Sequence, residues 1–147
     1  MVKVEAFEEV VKELDKKYDV SVHPKVIRAI VKVVDRDLKN LAKKEMLTQK
    51  GVRKYYRKAY PKVWCMRKPW RSVSDLIKQL AEKRHLEVSS EVRLELSRLY
   101  SSLTADTLFA AAAFVVLTRG RKKNPVTMDD VELVCKEFLK LKPTWLC

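Results

Sequence analysis

Between Lys39 and Arg71 stand twelve lysines and arginines and a single acid, Glu45. Cations at this density can neutralise the phosphates of a polyanion, and each neutralised B-DNA phosphate contributes about −0.9 to the slope of log affinity against log salt. Rings are interleaved with the charges: Lys50, Arg53, Lys54, Tyr55, Tyr56, Arg57, Lys58, Tyr60, Lys62, Trp64, Arg67, Lys68, Trp70 and Arg71. Such rings have two uses. They can stack on single-stranded bases, at roughly 1–3 kcal/mol per base, or fill a core, the commoner fate of rings at helical spacing. A second basic group lies at Arg119, Arg121, Lys122 and Lys123. Phosphate binding is the chemistry these residues offer; a solubilising face is the bland alternative.

Catalysis finds few parts. Phosphate-cradling loops need glycines, and the chain has two, Gly51 and Gly120. His23 stands beside Pro24 and His85 near a helix end, neither with a Ser, Cys or carboxylate at a telling spacing. Asp129 and Asp130 read as acids at a helix start, where the dipole favours them, rather than as a metal pair. Cys65, Cys135 and Cys147 are odd in number and lack C-x-x-C spacing, which suits a reducing compartment and neither a disulfide framework nor a zinc site. The expectation is no enzyme, no cofactor, no metal and no small-molecule substrate.

The charge of +13 on 147 residues is uneven. Residues 1–70 hold 19 Lys and Arg against 9 acids, whereas residues 71–147 hold 13 against 10. No uninterrupted apolar run reaches the roughly 18 residues of a membrane span; the longest lies near Leu108 to Leu117. Acids among the first residues argue against a signal peptide. No membrane partner is expected, and the protein is expected inside a cell or particle, with nucleic acid.

The elements that would position these charges read as helices throughout. The first covers about 5–18, with Phe7, Val10, Val11, Leu14 and Tyr18 on one face. His23-Pro24 opens a second, with Pro24 where its missing N–H costs nothing. It carries Val26, Ile27, Ile30, Val33, Val34, Leu38, Leu41 and Ala42 to about Met46. Gly51 interrupts, a short helix covers about 52–60, and Pro61 stops it. The next helix covers about 73–84, with Val73, Leu76, Ile77 and Leu80 inward. Ser89 or Ser90 caps a helix of about 30 residues that ends near Arg119-Gly120. Thr127, with Asp130 three residues on, opens the last.

These elements repeat at an offset of 66 residues. Glu9-Val10-Val11-Lys12-Glu13-Leu14 returns as Asp75-Leu76-Ile77-Lys78-Gln79-Leu80, and Val20 to Val26 as Leu86 to Val92. Ile30 answers to Leu96, Val33 to Leu99 and Val34 to Tyr100. Two copies of one unit, each too small to close a core, are expected to fold against each other.

The run Lys122-Lys123-Asn124-Pro125-Val126-Thr127-Met128-Asp129-Asp130-Val131-Glu132-Leu133 resembles the loop and third-helix start of core and archaeal histones. Asp130-Val131 takes the Asp-Val position and Val126 the β-branched one. The resemblance covers about 71–142 and, through the repeat, about 5–60. It implies an all-α chain of two tandem histone folds, each short helix, long central helix and short helix, paired as an intramolecular pseudo-dimer. The units would be residues 1–63 and 72–147, joined by 64–71, similar to the doublets of some archaeal and viral proteins.

The resemblance also implies duplex DNA as partner, compacted or bent with little sequence choice, and a second doublet or another histone-fold protein as further partners. The expected contacts are Lys50, Arg53, Lys54, Arg57, Lys58, Lys62, Arg67, Lys68, Arg71, Arg119, Arg121, Lys122 and Lys123. A nucleoid, nucleus or virion would each suit. The chain departs from DNA-wrapping histones at the loops, where Ser21, Glu87 and Pro125 replace the usual Arg and Thr. Asp75 and Glu9 stand where archaeal first helices often have Arg, and Lys123 aligns with the Arg that clamps the third-helix Asp. Those losses suit the alternative: an interaction module of a transcription, chromatin or kinetochore-type assembly, with DNA contact secondary. The interleaved rings leave open a helical bundle for single strands or RNA.

Overall fold

The computed structural model describes residues 7–59, 69–120 and 124–137. Among these residues six helices and two short strands follow in order: α1 (Glu8–Tyr18), β1 (Ser21–Val22), α2 (Pro24–Lys43), α3 (Gln49–Ala59), α4 (Arg71–Lys83), α5 (Ser90–Arg119), β2 (Pro125–Val126) and α6 (Met128–Glu137). Among the described residues the protein is all-α apart from one two-residue ladder.

The repeat survives into the backbone. Asp19 and His85, 66 residues apart, both take a left-handed conformation with φ of 53° and 55°. The N-caps of the two central helices keep the same offset. The His23 ring accepts the Lys25 N–H at 3.1 Å, and the Ser89 hydroxyl accepts the Val92 N–H at 3.2 Å. Each cap relieves one of the orphan donors of its first turn.

The copies diverge after these starts. Helix α2 has 20 residues and α5 has 30. The expectation that α2 runs to Met46 is corrected: it ends at Lys43, Glu45 turns with φ of 55°, and α3 starts at Gln49. Gly51 is therefore no interruption but lies in the first turn of α3. A Cβ there would stand 2.4 Å from the Met46 carbonyl oxygen, so only glycine fits beneath this tight turn.

One core joins the halves. Phe7, just before α1, and Val10 and Leu14 of α1 pack in a continuous cluster with Ile30 and Leu38 of α2, Leu76 and Ile77 of α4, Leu96 and Leu99 of α5, and Val131 and Val134 of α6. Helices α1 and α3 pack on α5, and α2 packs on α4 and α6. The ladder also crosses the halves, pairing β1 and β2 in parallel with Ser21 opposite Pro125 and Val22 opposite Val126. Polar clasps reinforce the join. Arg84 forks onto Asp35 at 2.7 and 2.8 Å, and the Ser72 N–H and hydroxyl both donate to the Glu9 carboxylate, capping α4 from the other half.

Helix α5 is the axis of the molecule, about 45 Å long at 1.5 Å per residue. An 18-residue window of it has mean hydropathy 1.5, enough by length and composition to cross a bilayer, yet 56% of that window is buried inside the protein. A core helix passes that test for the same reason a span does: it is apolar on most sides.

Candidate nucleic-acid interface

Helix α3 sorts its residues by face. The Thr48 hydroxyl accepts the Gly51 N–H at 3.0 Å and starts the helix. Val52 is buried, and Tyr55, Tyr56 and Ala59 pack against the core beside it. The opposite face holds Lys50, Arg53, Lys54, Arg57 and Lys58, all exposed, with no acid anywhere in the helix. An open hollow runs along this face, lined by Gln49 and those five cations.

Two buried acids hold α3 in place. Asp37 of α2, fully buried, accepts the Tyr55 hydroxyl at 2.8 Å and the Tyr100 hydroxyl at 2.6 Å. Glu95 of α5 accepts Arg53 at 2.7 and 3.2 Å and Gln49 at 3.2 Å. Burial alone would raise the Glu95 carboxyl, but the Arg53 and Gln49 hydrogen bonds, with the charges of Arg53 and Arg98, hold it below the usual carboxylate range. Arg53 is thus largely a structural cation. Lys50, Lys54, Arg57 and Lys58 remain on a rigid support.

The far end of α5 is built differently. Arg119 forks onto Asp130 at 2.9 and 2.6 Å and also donates to the Pro125 carbonyl at 3.1 Å. The Thr127 N–H reaches the same carboxylate at 2.9 Å, and the Thr127 hydroxyl at 3.0 Å. Burial pushes the Asp130 carboxyl up, and the Arg119 and Thr127 hydrogen bonds with the Arg119 charge bring it below the usual range. Asn124 closes the loop by donating to the Arg119 and Gly120 carbonyls. Ser21 donates its N–H to the Asn124 carbonyl at 3.2 Å, and His23 to that of Val126 at 3.0 Å.

The residues expected to meet nucleic acid therefore divide. Lys50, Lys54, Arg57 and Lys58 share one exposed face, and Arg71 is exposed at the first position of α4. Arg53 is shared with Glu95, and Arg119 with Asp130. Lys62, Arg67, Lys68, Arg121, Lys122 and Lys123 lie outside the described residues, as do Tyr60 and Trp64. Lys123 aligns with the Arg that clamps the third-helix Asp; among the described residues it is Arg119 that holds Asp130. Its signal was available in principle, since an Arg in the last turn of a 30-residue helix can fold back on the acid that starts the next. Sequence reading also passed over the cations of α2, whose signal is their spacing.

Tyr55 and Tyr56 point to the core, so no ring interleaves with the charges on the outer face of α3 among the described residues. Burial first, then the Asp37 charge and hydrogen bond, push the Tyr55 hydroxyl up to about 12. Among the described residues no cluster of three or more His, Cys, Asp or Glu could hold a metal ion. The chain matches no protein-family model, no curated protein and no solved structure.

Proposed function

We propose that the chain is a tandem histone-fold protein that binds duplex DNA through phosphate contacts, with little choice of sequence, and bends or compacts it. The observation that carries this reading is the outer face of α3: five cations and no carboxylate, on a helix fastened to the core by Asp37 and Glu95. A duplex is favoured over a single strand because Tyr55 and Tyr56, which could stack on bases, are turned inward.

The fold part of the proposal draws support from three features. Each half has three helices, with the longest in the middle. The loop after α1 pairs in parallel with the loop before α6, across the halves. Arg119 grips Asp130 beside that pairing, as the resemblance assigns to an arginine.

Titration of duplex DNA at several salt concentrations tests the function. Steep salt dependence is expected, and the K50Q/K54Q/R57Q/K58Q variant should reduce the slope magnitude by about 3–4. Binding unchanged between low and moderate salt would sink the proposal. Charge reversal of Arg121, Lys122 and Lys123 beside it divides the contact between the two ends of α5.

One observation favours the second reading, a scaffold for another histone-fold protein. At the paired loops, Ser21 and Pro125 are joined in the ladder and Arg119 is committed to Asp130, so the described groups there offer phosphate little. A complex with a histone-fold partner that survives high salt in gel filtration, with no duplex binding, would select it.

A further inference from the structure

Helix α2 carries a second line of charge. At 3.6 residues per turn, Lys25, Arg28, Lys32, Arg36, Lys39 and Lys43 fall within roughly 80° of one another around the axis and span about 27 Å. Five of them are exposed; Arg36 is half-buried and reaches Asp37 at 3.4 Å. No carboxylate among the described residues forms an ion pair with Lys25, Arg28, Lys32, Lys39 or Lys43. Of the two acids of α2, Asp37 is buried, and Asp35, at the edge of the stripe and close enough to feel the Lys39 charge, is forked by Arg84.

This arrangement works against the free helix. Successive members are three or four residues apart, the spacing at which like charges repel, and a face that serves only solubility usually mixes both signs. The corresponding positions of the second copy, 66 residues on, are Glu91, Leu94, Arg98, Ser102, Ala105 and Phe109. There Ser102 and Ala105 are buried and Phe109 packs on the core, so of the two central helices only α2 turns the whole of this face to solvent.

The stripe is also separate from the face of α3. Asp35 and Asp37 lie roughly 160° apart around α2. Asp35 meets Arg84, just past α4, whereas Asp37 meets Tyr55 of α3. The stripe borders the Asp35 flank, so it lies on the α4 side of α2, and α3 occupies the other.

We infer that the outward face of α2 is a second phosphate-binding track, so that one molecule bridges two duplex segments. The inference rests on the duplex-binding reading above and adds to it a second, independent surface. A row of cations repeating along one helix face fits a regular polyanion, the backbone of a duplex, better than a folded acidic protein with its own relief.

A two-duplex capture assay tests it. One duplex is immobilised and a fluorescent one is added with the full chain. Both are about 16 bp, far below the ~150 bp persistence length, so neither can wrap round the molecule. Affinity for a single duplex is measured in parallel by anisotropy. The K25Q/R28Q/K32Q/K39Q/K43Q variant should keep single-duplex affinity within about threefold while losing at least about tenfold in capture of the second duplex. Circular dichroism checks its helices, and K32Q/K39Q serves as a milder variant with the same direction of effect.

Equal losses in both assays would make the stripe part of one continuous site and overturn bridging. Undiminished capture by the variant would overturn it too, as would a captured complex holding two protein copies by sedimentation. Displacement of the second duplex by polyglutamate at lower charge concentration than by competitor duplex would reassign the stripe to an acidic partner. Wild-type protein that binds no duplex in either assay would overturn the duplex-binding reading itself.

Discussion

Asp130 gathers the Arg119 fork, the Thr127 amide and the Thr127 hydroxyl around one nearly buried carboxylate. Asp130→Asn should therefore cost about 1–3 kcal/mol in chemical denaturation, since a buried donor set loses its charged acceptor. The carboxyls of Asp130, Glu95 and Asp35 all lie below their ordinary values of 3.8 for Asp and 4.5 for Glu. The native state thus binds these protons less tightly than the unfolded chain. Their contribution to stability is complete above the ordinary values and is lost as pH falls through the lower native ones. Melting temperature should drop below about pH 4, and less steeply in the Asp130→Asn protein. Tyr55 gives the opposite sign. Its raised hydroxyl contributes stability that is complete below the ordinary 10.0 and is lost as pH rises towards about 12. Tyrosinate absorbance should show late titration whose amplitude falls by one ring in Tyr55→Phe. The caps at His23 and Ser89 were legible in the chain because a cap is a local event. Arg119 was not, because which of four nearby cations meets Asp130 depends on where a 30-residue helix ends.

At the scale of elements, the junction of α2 and α3 is the point where the two copies part. The α3 backbone passes so close to Met46 that Gly51→Ala would set a Cβ 2.4 Å from a carbonyl oxygen, an atom that cannot swing aside. A loss of about 1–3 kcal/mol is expected from such overpacking, measured as a lower denaturation midpoint. Because α3 would shift with it, the salt slope of duplex binding should fall as well. The helices, and the starts of α2 and α5, were readable from periodicity and from the 66-residue offset, which holds at Asp19 and His85 as well as at the caps. The end of α2 was not, since Ala42 to Met46 continue the helical pattern in composition. What stops the helix is a left-handed Glu45 that no glycine or proline announces. The outer face of α3 was legible as a basic segment, but its anchoring was hidden. Asp37 and Glu95 lie 18 and 42 residues from the side chains they hold, and only the packing of α3 on α2 and α5 brings them together.

For the whole molecule, the shared core makes separate folding of the halves unfavourable. Chains of residues 1–69 and 69–147 should each show little cooperative unfolding alone, and helicity should rise when they are mixed, as circular dichroism would detect. An independently stable half would contradict the continuous cluster that joins α1 to α5 and α2 to α4. The same continuity shapes how the protein is made. β1 finds its partner only when β2 exists, some 100 residues later, which at ribosomal rates of 5–20 residues per second is about 5–20 s. Through most of that interval the apolar faces of α1 and α2 have no finished α5 and no α6 to cover them. The nascent chain must wait half-made with its stickiest surface exposed, so its yield in a cell should depend on chaperones and translation speed more than the stability of the finished protein would suggest.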